Sequence, residues 1–284
     1  MAVAVEQIAI YHILKYQVRI FYGLNSVGEV TMALGIAGKV AVVTGSSHGI
    51  GRAIALALAA EGAKVTINSI DDADEAAGTL QTLQSHTDAI HVEADVTQPA
   101  GADELVGAAL REYGQVDMLV NNVGGGKNVP FSDLTLEEFE RVLMTNLRGA
   151  FLMTSALIDG MAARGFGRII NISSQLGIKG GRELAHYTTA KAGLIGFTKS
   201  LALDYATTGV TVNAIAPGRI STEREAGKAR VSEEWLARKR QEIAMQRFGR
   251  TDEVSATAVL IASSPGGDFY TGQTFHPNGG DVMP

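Results

Sequence analysis

The sequence contains no cysteine. That excludes disulfides, thiolate metal sites, iron–sulfur ligation and a cysteine nucleophile. It also lacks a basic excess: 24 Lys and Arg stand against 30 Asp and Glu, a net charge of −6. Nucleic-acid binding needs a basic surface, so no such partner is expected. No long unbroken apolar run is present. The most apolar stretch, 7–24, is interrupted by His12, Lys15, Gln17 and Arg19, whereas a membrane span takes about 20 consecutive apolar residues. No membrane partner is expected. A secretory signal is disfavoured because Glu6 replaces a basic leader and no small-residue cleavage pattern follows. The expected location is the cytoplasm. The remaining histidines, His12, His86, His91, His186 and His276, show no ligand spacing, and no catalytic metal is expected.

What the chain has in excess is glycine. The 33 glycines in 284 residues are about 12%, against a usual ~7%. They mark either loose loops or places where backbone must approach something closely. Hydrophobic residues make up 46% and charged residues 19%, which excludes bulk disorder.

From Lys39 onward the pattern alternates. Short β-branched runs read as strands at 40–44, 64–68, 89–94, 116–121, 168–172, 210–215 and 273–276. Stretches of 3.6-residue period lie between them at 50–61, 72–85, 101–113, 135–164, 184–207, 233–244 and 252–262. Strands alternating with helices mean repeated βαβ units and a parallel sheet with helices on both faces. The fold class expected is α/β, a single doubly wound Rossmann-type domain of about seven strands. It spans 38–284, and 1–37 reads as an N-terminal extension, poorly ordered or not native, with Met32 an alternative start.

The first strand runs into Gly45, Ser46, Ser47, His48, Gly49, Ile50 and Gly51, and a helix follows. A strand, a glycine turn and a helix start form a cradle for a pyrophosphate: glycines let the backbone approach, and the helix N-terminus offers free N–H groups and a positive dipole end. The loop is not a Walker A motif, because no Gly-Lys-Ser/Thr follows.

With these residues the sequence resembles the short-chain dehydrogenase/reductase family. Thr44-Gly45 through Gly49-Ile50-Gly51 matches TGxxxGIG, and Asn121-Asn122-Val123-Gly124 matches NNAG with Val123 for Ala. Tyr187 through Lys191 matches YxxxK, and Ser174 stands 13 residues before the tyrosine. Asn146 matches the helix asparagine, and Pro217-Gly218-Arg219-Ile220-Ser221-Thr222 matches PGxIxT. The resemblance covers about 37–280.

It implies an NAD(P)-dependent oxidoreductase that interconverts a carbonyl and an alcohol. Tyr187, Lys191, Ser174 and Asn146 are the expected catalytic group. Tyr187 and Lys191 lie four apart on one helix face. The ammonium should lower the phenol pKa from about 10, so that Tyr187 exchanges a proton with the substrate oxygen. Ser174 hydrogen-bonds that oxygen as charge develops. The resemblance adds a nicotinamide-ribose contact for Lys191 and a water held by the backbone of Asn146. It places the loop residues Gly45, Ser47, His48, Gly49, Ile50 and Gly51 at the cofactor, Asp95 and Val96 at the adenine, and Asn122 and Gly124 where the fourth strand ends. Pro217, Gly218, Ile220 and Thr222 fall near the nicotinamide.

By alignment to the family pattern, Ser69 occupies the ribose-reading position usually held by an acid. Its neutrality leans toward NADP(H), although Asp71 and Asp72 would repel a 2′-phosphate if they point inward, and His48 replaces the loop arginine of many NADP enzymes. The substrate segments are 125–131 and 220–247. The second is an expected lid region, which with Arg219 beside it holds Glu223, Arg224, Lys228, Arg230 and Trp235. Arg247-Phe248-Gly249 with Glu253-Val254 resembles a stretch of 3-oxoacyl-carrier-protein reductases and suggests a ketoacyl or small ketone substrate. The stretches 135–164 and 184–207 have more apolar positions than one sheet face needs, and the resemblance implies that these helices pair between subunits in a homo-oligomer, a dimer or tetramer. The competing readings are a catalytically silent cofactor-binding scaffold or redox sensor, and an epimerase or dehydratase of the same superfamily.

Overall fold

The computed structural model describes residues 34–222 and 232–284, together with a short antiparallel backbone pairing of Tyr22–Leu24 with Val30–Met32. The expected lid residues Glu223, Arg224, Lys228 and Arg230, and the stretch before 22, lie outside the described residues.

The strands β1 (Val40–Val43), β2 (Lys64–Ser69), β3 (Ala89–Glu93), β4 (Met118–Asn121), β5 (Gly167–Ile172), β6 (Val210–Ile215) and β7 (Thr274–Phe275) form one seven-stranded parallel sheet. Its order is β7-β6-β5-β4-β1-β2-β3. The order reverses at β1, and the crevice beyond the carboxyl ends of β1 and β4 is where such sheets bind ligands.

β1 is buried throughout because helices cover both sides. Ala41 and Val43 pack with Ile54 and Leu58 of α1 (Gly49–Ala60), Leu83 of α2 (Ala73–Gln84) and Ile261 of α8 (Thr251–Ala262). Val40 and Val42 pack with Leu105 of α3 (Pro99–Tyr113) and Met153 and Leu157 of α5 (Gly149–Ala163), and Ala202 of α6 (Ala185–Asp204) closes that side. Burying each such Val, Leu, Ile or Met side chain stabilises the fold by roughly 1.5–3 kcal/mol. Leu34 and Ile36, which the sequence pattern assigned to the extension, also belong here: Ile36 is buried in the first cluster and Leu34 C=O accepts from Ser264 N at 2.8 Å.

The long helix expected over 135–164 is divided. Thr135 caps α4 (Leu136–Leu143), its hydroxyl accepting from Glu138 N at 3.2 Å. One wide π-type turn, Met144–Arg148, then leads into α5. The helices expected over 184–207 and 233–244 are shorter than the sequence pattern, α6 ending at Asp204 and α7 (Glu233–Gln241) at Gln241. Ile220–Ser221 and Gly249–Arg250 pair as a two-residue parallel ladder that the sequence pattern does not announce.

Candidate active site

The glycine turn after β1 is fixed by polar side chains from neighbouring strands. Gly45 and Gly49 both sit at φ +59, a left-handed conformation that glycine adopts without strain. Asn122 Nδ2 donates to Thr44 C=O at 3.0 Å and to Gly45 C=O at 2.8 Å. Gly45 N donates to Asn68 Oδ1 at 3.3 Å, while Asn68 Nδ2 donates to Val92 C=O and Ala94 C=O. Asn68 is buried on β2 and ties three strand ends together, a role that no sequence pattern marked. A Cβ on Gly51 would lie 2.4 Å from Gly45 C=O and 2.5 Å from Asn122 Nδ2, so only glycine lets α1 start this close to the turn.

A cavity of about 540 Å³ runs over this turn. At one end it is lined by Gly45, Ser47, His48, Ser69, Ile70 and Asp72. Asp95, Val96, Gly49, Ile50, Asn122 and Gly124 also line it. Ser174, Tyr187, Lys191, Pro217, Gly218 and Thr222 close the far end. Three expected residues do not line it. Gly51 lies behind the turn, and Asn146 is buried behind Gly124 and Gly125. Ile220 faces a second cavity with Ala244, Met245 and Gly249, because the 220–221 ladder with 249–250 turns it away from the first. Asp72 lines the cavity and Asp71 does not: Asp71 takes a left-handed φ of +56 and brings Asp72 back over the loop.

At the far end, the end of β5 and helix α6 bring together Ser174, Tyr187 and Lys191. Lys191 is fully buried, and its Nζ donates to Ile172 C=O at 2.8 Å. Burial takes its ammonium down to about 8. Ser173 Oγ donates to Lys191 C=O at 2.7 Å and so anchors α6 to the sheet edge. Ser174 Oγ accepts from Leu176 N at 3.1 Å and hydrogen-bonds Tyr187. Lys191 Nζ stands 5.7 Å from the centre of the Tyr187 ring. The phenol does not titrate as the sequence pattern suggests: burial pushes it above its ordinary value, and the hydrogen bond from Ser174 only opposes that. An ammonium that is itself costly to bury and bound to a carbonyl does not overcome the desolvation of the phenol.

Asn146 occupies the π-type turn. Its Nδ2 donates to Val142 C=O at 2.9 Å, the carbonyl that an α-helical N–H of residue 146 would use, and also to Gly125 C=O at 2.8 Å. Its Oδ1 accepts from Gly125 N at 2.9 Å. The wide turn is thus a clamp on the backbone that follows β4, in keeping with the use of such turns at functional sites.

Two sequence cues prove to be structural. Arg247 forms a fork with Glu253, at 2.6 Å and 2.8 Å, and Arg250 N donates to Glu253 Oε2 at 2.8 Å, which closes the N-terminus of α8 and holds the Glu253 carboxyl down at about 2. Arg219 stacks over Trp235 at 4.4 Å, holding α7. Asp95 keeps both its readings: Oδ1 accepts from Thr97 N at 2.9 Å as a turn, and the residue borders the cavity.

A doubly wound sheet with a glycine cradle, and a serine, tyrosine and lysine converging in the same crevice, define a dinucleotide-dependent oxidoreductase acting on a C=O/CH–OH pair. The short chain dehydrogenase family model matches residues 39–232, and the chain belongs to that family. It is 40% identical over 246 residues to the 3-oxoacyl-[acyl-carrier-protein] reductase of Synechocystis sp., covering 86% of this chain and 97% of that one. It is 40% identical over 247 residues to the acetoacetyl-CoA reductase of Shinella zoogloeoides, covering 86% and 99%. A solved structure from Sinorhizobium meliloti 1021, assigned to the short-chain alcohol dehydrogenases, superposes with a TM-score of 0.82 at 32% identity, covering 88% of this chain and 98% of that one. Among the described residues no helix is long and apolar enough to cross a membrane.

Proposed function

We propose that this chain reduces the ketone of a 3-oxoacyl thioester or a similar small 3-oxo compound, with Tyr187 as proton donor. The observation that carries it is the convergence of Ser174, Tyr187 and Lys191 in the cavity that also contains the glycine turn. The names of the relatives favour this substrate class.

The residues fit a dinucleotide: the cradle at Gly51 has no room for a Cβ, and the cavity passes from Ser47 to Tyr187 without a break. When bound, the reduced nicotinamide supplies the hydride to the carbonyl carbon. Ser174 and Tyr187 hold the carbonyl oxygen, and the phenol gives its proton to that oxygen. Its raised pKa keeps it protonated, as a donor must be, through neutral pH. Lys191 uses one N–H on Ile172 C=O. An ammonium has three, so two remain for a ribose hydroxyl and for the proton path to Tyr187. Asn146 holds Gly125, and through it the wall facing Tyr187, where a Cβ on Gly126 would meet Tyr187 Cβ at 3.1 Å and its ring at 3.2 Å.

The lean toward NADP(H) from the neutral Ser69 meets an opposing group, the Asp72 carboxylate, and both nucleotides are read as usable. The homo-oligomer reading is supported by an apolar groove lined by Leu143, Leu147, Phe151 and Phe197, with Phe151 53% exposed.

The test is turnover of acetoacetyl-CoA with NADPH and with NADH, followed by loss of reduced-nicotinamide absorbance. Tyr187→Phe should lower kcat by about 10²–10⁴-fold. Undiminished turnover in that variant would remove the phenol from the chemistry.

A further inference from the structure

Ser174 belongs to a turn that a distant part of the chain holds in place. Its C=O accepts from Gly177 N at 2.9 Å and its Oγ accepts from Leu176 N at 3.1 Å, at the start of the single helical turn Leu176–Lys179. Gln175 is the N-cap of that turn and Lys179 its last residue. Both bind one carboxylate from the segment after β7: Asp281 Oδ2 accepts from Gln175 Nε2, and Asp281 Oδ1 accepts from Lys179 Nζ. That segment is itself well anchored. Pro277 C=O accepts from Gly218 N at 3.1 Å, and Gly279 C=O accepts from Met245 N at 3.0 Å. Asn278 folds the segment on itself, its Oδ1 accepting from Gly280 N at 2.9 Å and its Nδ2 donating to Val282 C=O at 2.7 Å. Gln175 is buried, and its Oε1 has no partner, so Asp281 is what fixes this carboxamide.

We propose that Asp281 is a positioning residue for the reduction, acting through Gln175 to set the Ser174 hydroxyl against the substrate carbonyl. The proposal rests on the reading of Ser174 as a group that holds the carbonyl oxygen. A single helical turn has almost no stability of its own, because its nucleation fixes several residues for one hydrogen bond. Its position is therefore decided by what it is tied to. Gln175 N donates to Pro217 C=O at 3.1 Å, which fixes the backbone at one point. Gly177 already lies against α6, where a Cβ would meet the backbone of Lys191 at 2.8 Å. Closer approach is blocked, so a turn released from Asp281 would shift away from α6 and take Ser174 away from Tyr187. A misplacement of about 1 Å at a reacting group costs on the order of 10²-fold in rate. Asparagine in place of Asp281 keeps an acceptor and adds a donor, and the Gln175 carboxamide can pair with either. Alanine keeps neither.

The measurement is kcat for acetoacetyl-CoA at saturating reduced nucleotide, with the nucleotide Kd from calorimetry. Asp281→Ala should lower kcat about ten- to hundredfold. Its nucleotide Kd should change less than about twofold, because neither Gln175 nor Lys179 lines the cavity. Asp281→Asn should keep kcat within about threefold of wild type, since it retains the tie. Gln175→Leu should lose as much as Asp281→Ala, and the double variant no more than about twofold beyond either. A kcat within about twofold of wild type in Asp281→Ala, an equal loss in Asp281→Asn, or losses that add in the double variant overturns the proposal. If Asp281→Ala does not fold, Gln175→Leu against Asp281→Asn makes the same comparison. Amide exchange over 174–180, read by mass spectrometry, follows the turn without turnover. The N–H groups of Gly177, Ile178, Lys179 and Gly180 are bonded within it. They should exchange about tenfold faster in Asp281→Ala and near the wild-type rate in Asp281→Asn. A wild type inactive on the ketone counts against the reductase reading. Exchange in Asp281→Ala then decides this one, unchanged rates overturning it.

Discussion

Replacing Lys191 by methionine should abolish turnover and, relative to wild type, change the pH dependence of stability in a calculable direction. Lys191 is fully buried with one hydrogen bond, to Ile172 C=O. Burial lowers its ammonium from an ordinary 10.5 to about 8. At 1.36 kcal/mol per pH unit that difference is roughly 3 kcal/mol. A cation depressed in the fold destabilises the native state while both states are protonated, that is, below about pH 8. Between about pH 8 and 10.5 the unfolded chain binds more protons than the folded one, so the wild type gains stability as pH rises. Methionine removes the ionisation and leaves Ile172 C=O without its donor, at a pH-independent cost of about 1–3 kcal/mol. Lys191→Met should therefore be about as stable as wild type at pH 7, or more stable by up to about 2 kcal/mol. It should lose roughly 3 kcal/mol relative to wild type by pH 10.5. Urea unfolding of both proteins at one fixed concentration, at pH 7 and above pH 10, reads the difference directly. Other alkaline titrations, including Tyr113, whose phenol burial pushes up to about 12, occur in both proteins and cancel. A difference that stays within about 1 kcal/mol across the range, or moves the other way, refutes the argument from burial.

Gly124→Ala would place a Cβ 2.4 Å from Asn146 Oδ1 and 2.8 Å from Lys191 Nζ. Overpacking of that kind costs about 1–3 kcal/mol, and here it displaces two site residues at once. Urea unfolding should show that loss, and kcat/KM should fall about tenfold or more, a combination that a harmless fit would not give. Light scattering coupled to size exclusion should show a dimer or larger, and Phe151→Glu in the groove of α5 and α6 should shift it toward monomer. A wild-type monomer would count against the oligomer reading.

The parallel sheet was legible because the strands of β1, β2 and β5 are short apolar runs and the helices between them keep a 3.6-residue period. That the glycine turn, Ser174, Tyr187 and Lys191 meet in one cavity was legible, because the resemblance rests on particular residue types at fixed spacing along the chain. The division of 135–164 was not. Every residue of that stretch is compatible with an ordinary helix, and the wide turn exists only because Asn146 finds Gly125, 21 residues away, across the site. The clamp at Asn68 escaped for the same reason: an asparagine in a strand says nothing of the three partners that other strands bring to it.

By itself, the order of residues determined the alternation of strands and helices, the glycine turn after β1 and the spacing of a phenol, an amine and a hydroxyl along the chain. Tertiary structure decided what surrounds them. Desolvation, a property of everything packed about a group, set the phenol of Tyr187 above its ordinary value and the amine of Lys191 below. One left-handed residue, Asp71, turned the neighbouring carboxylate of Asp72 into the cavity. Neither effect can be read from sequence spacing, because burial and direction depend on atoms contributed by distant parts of the chain.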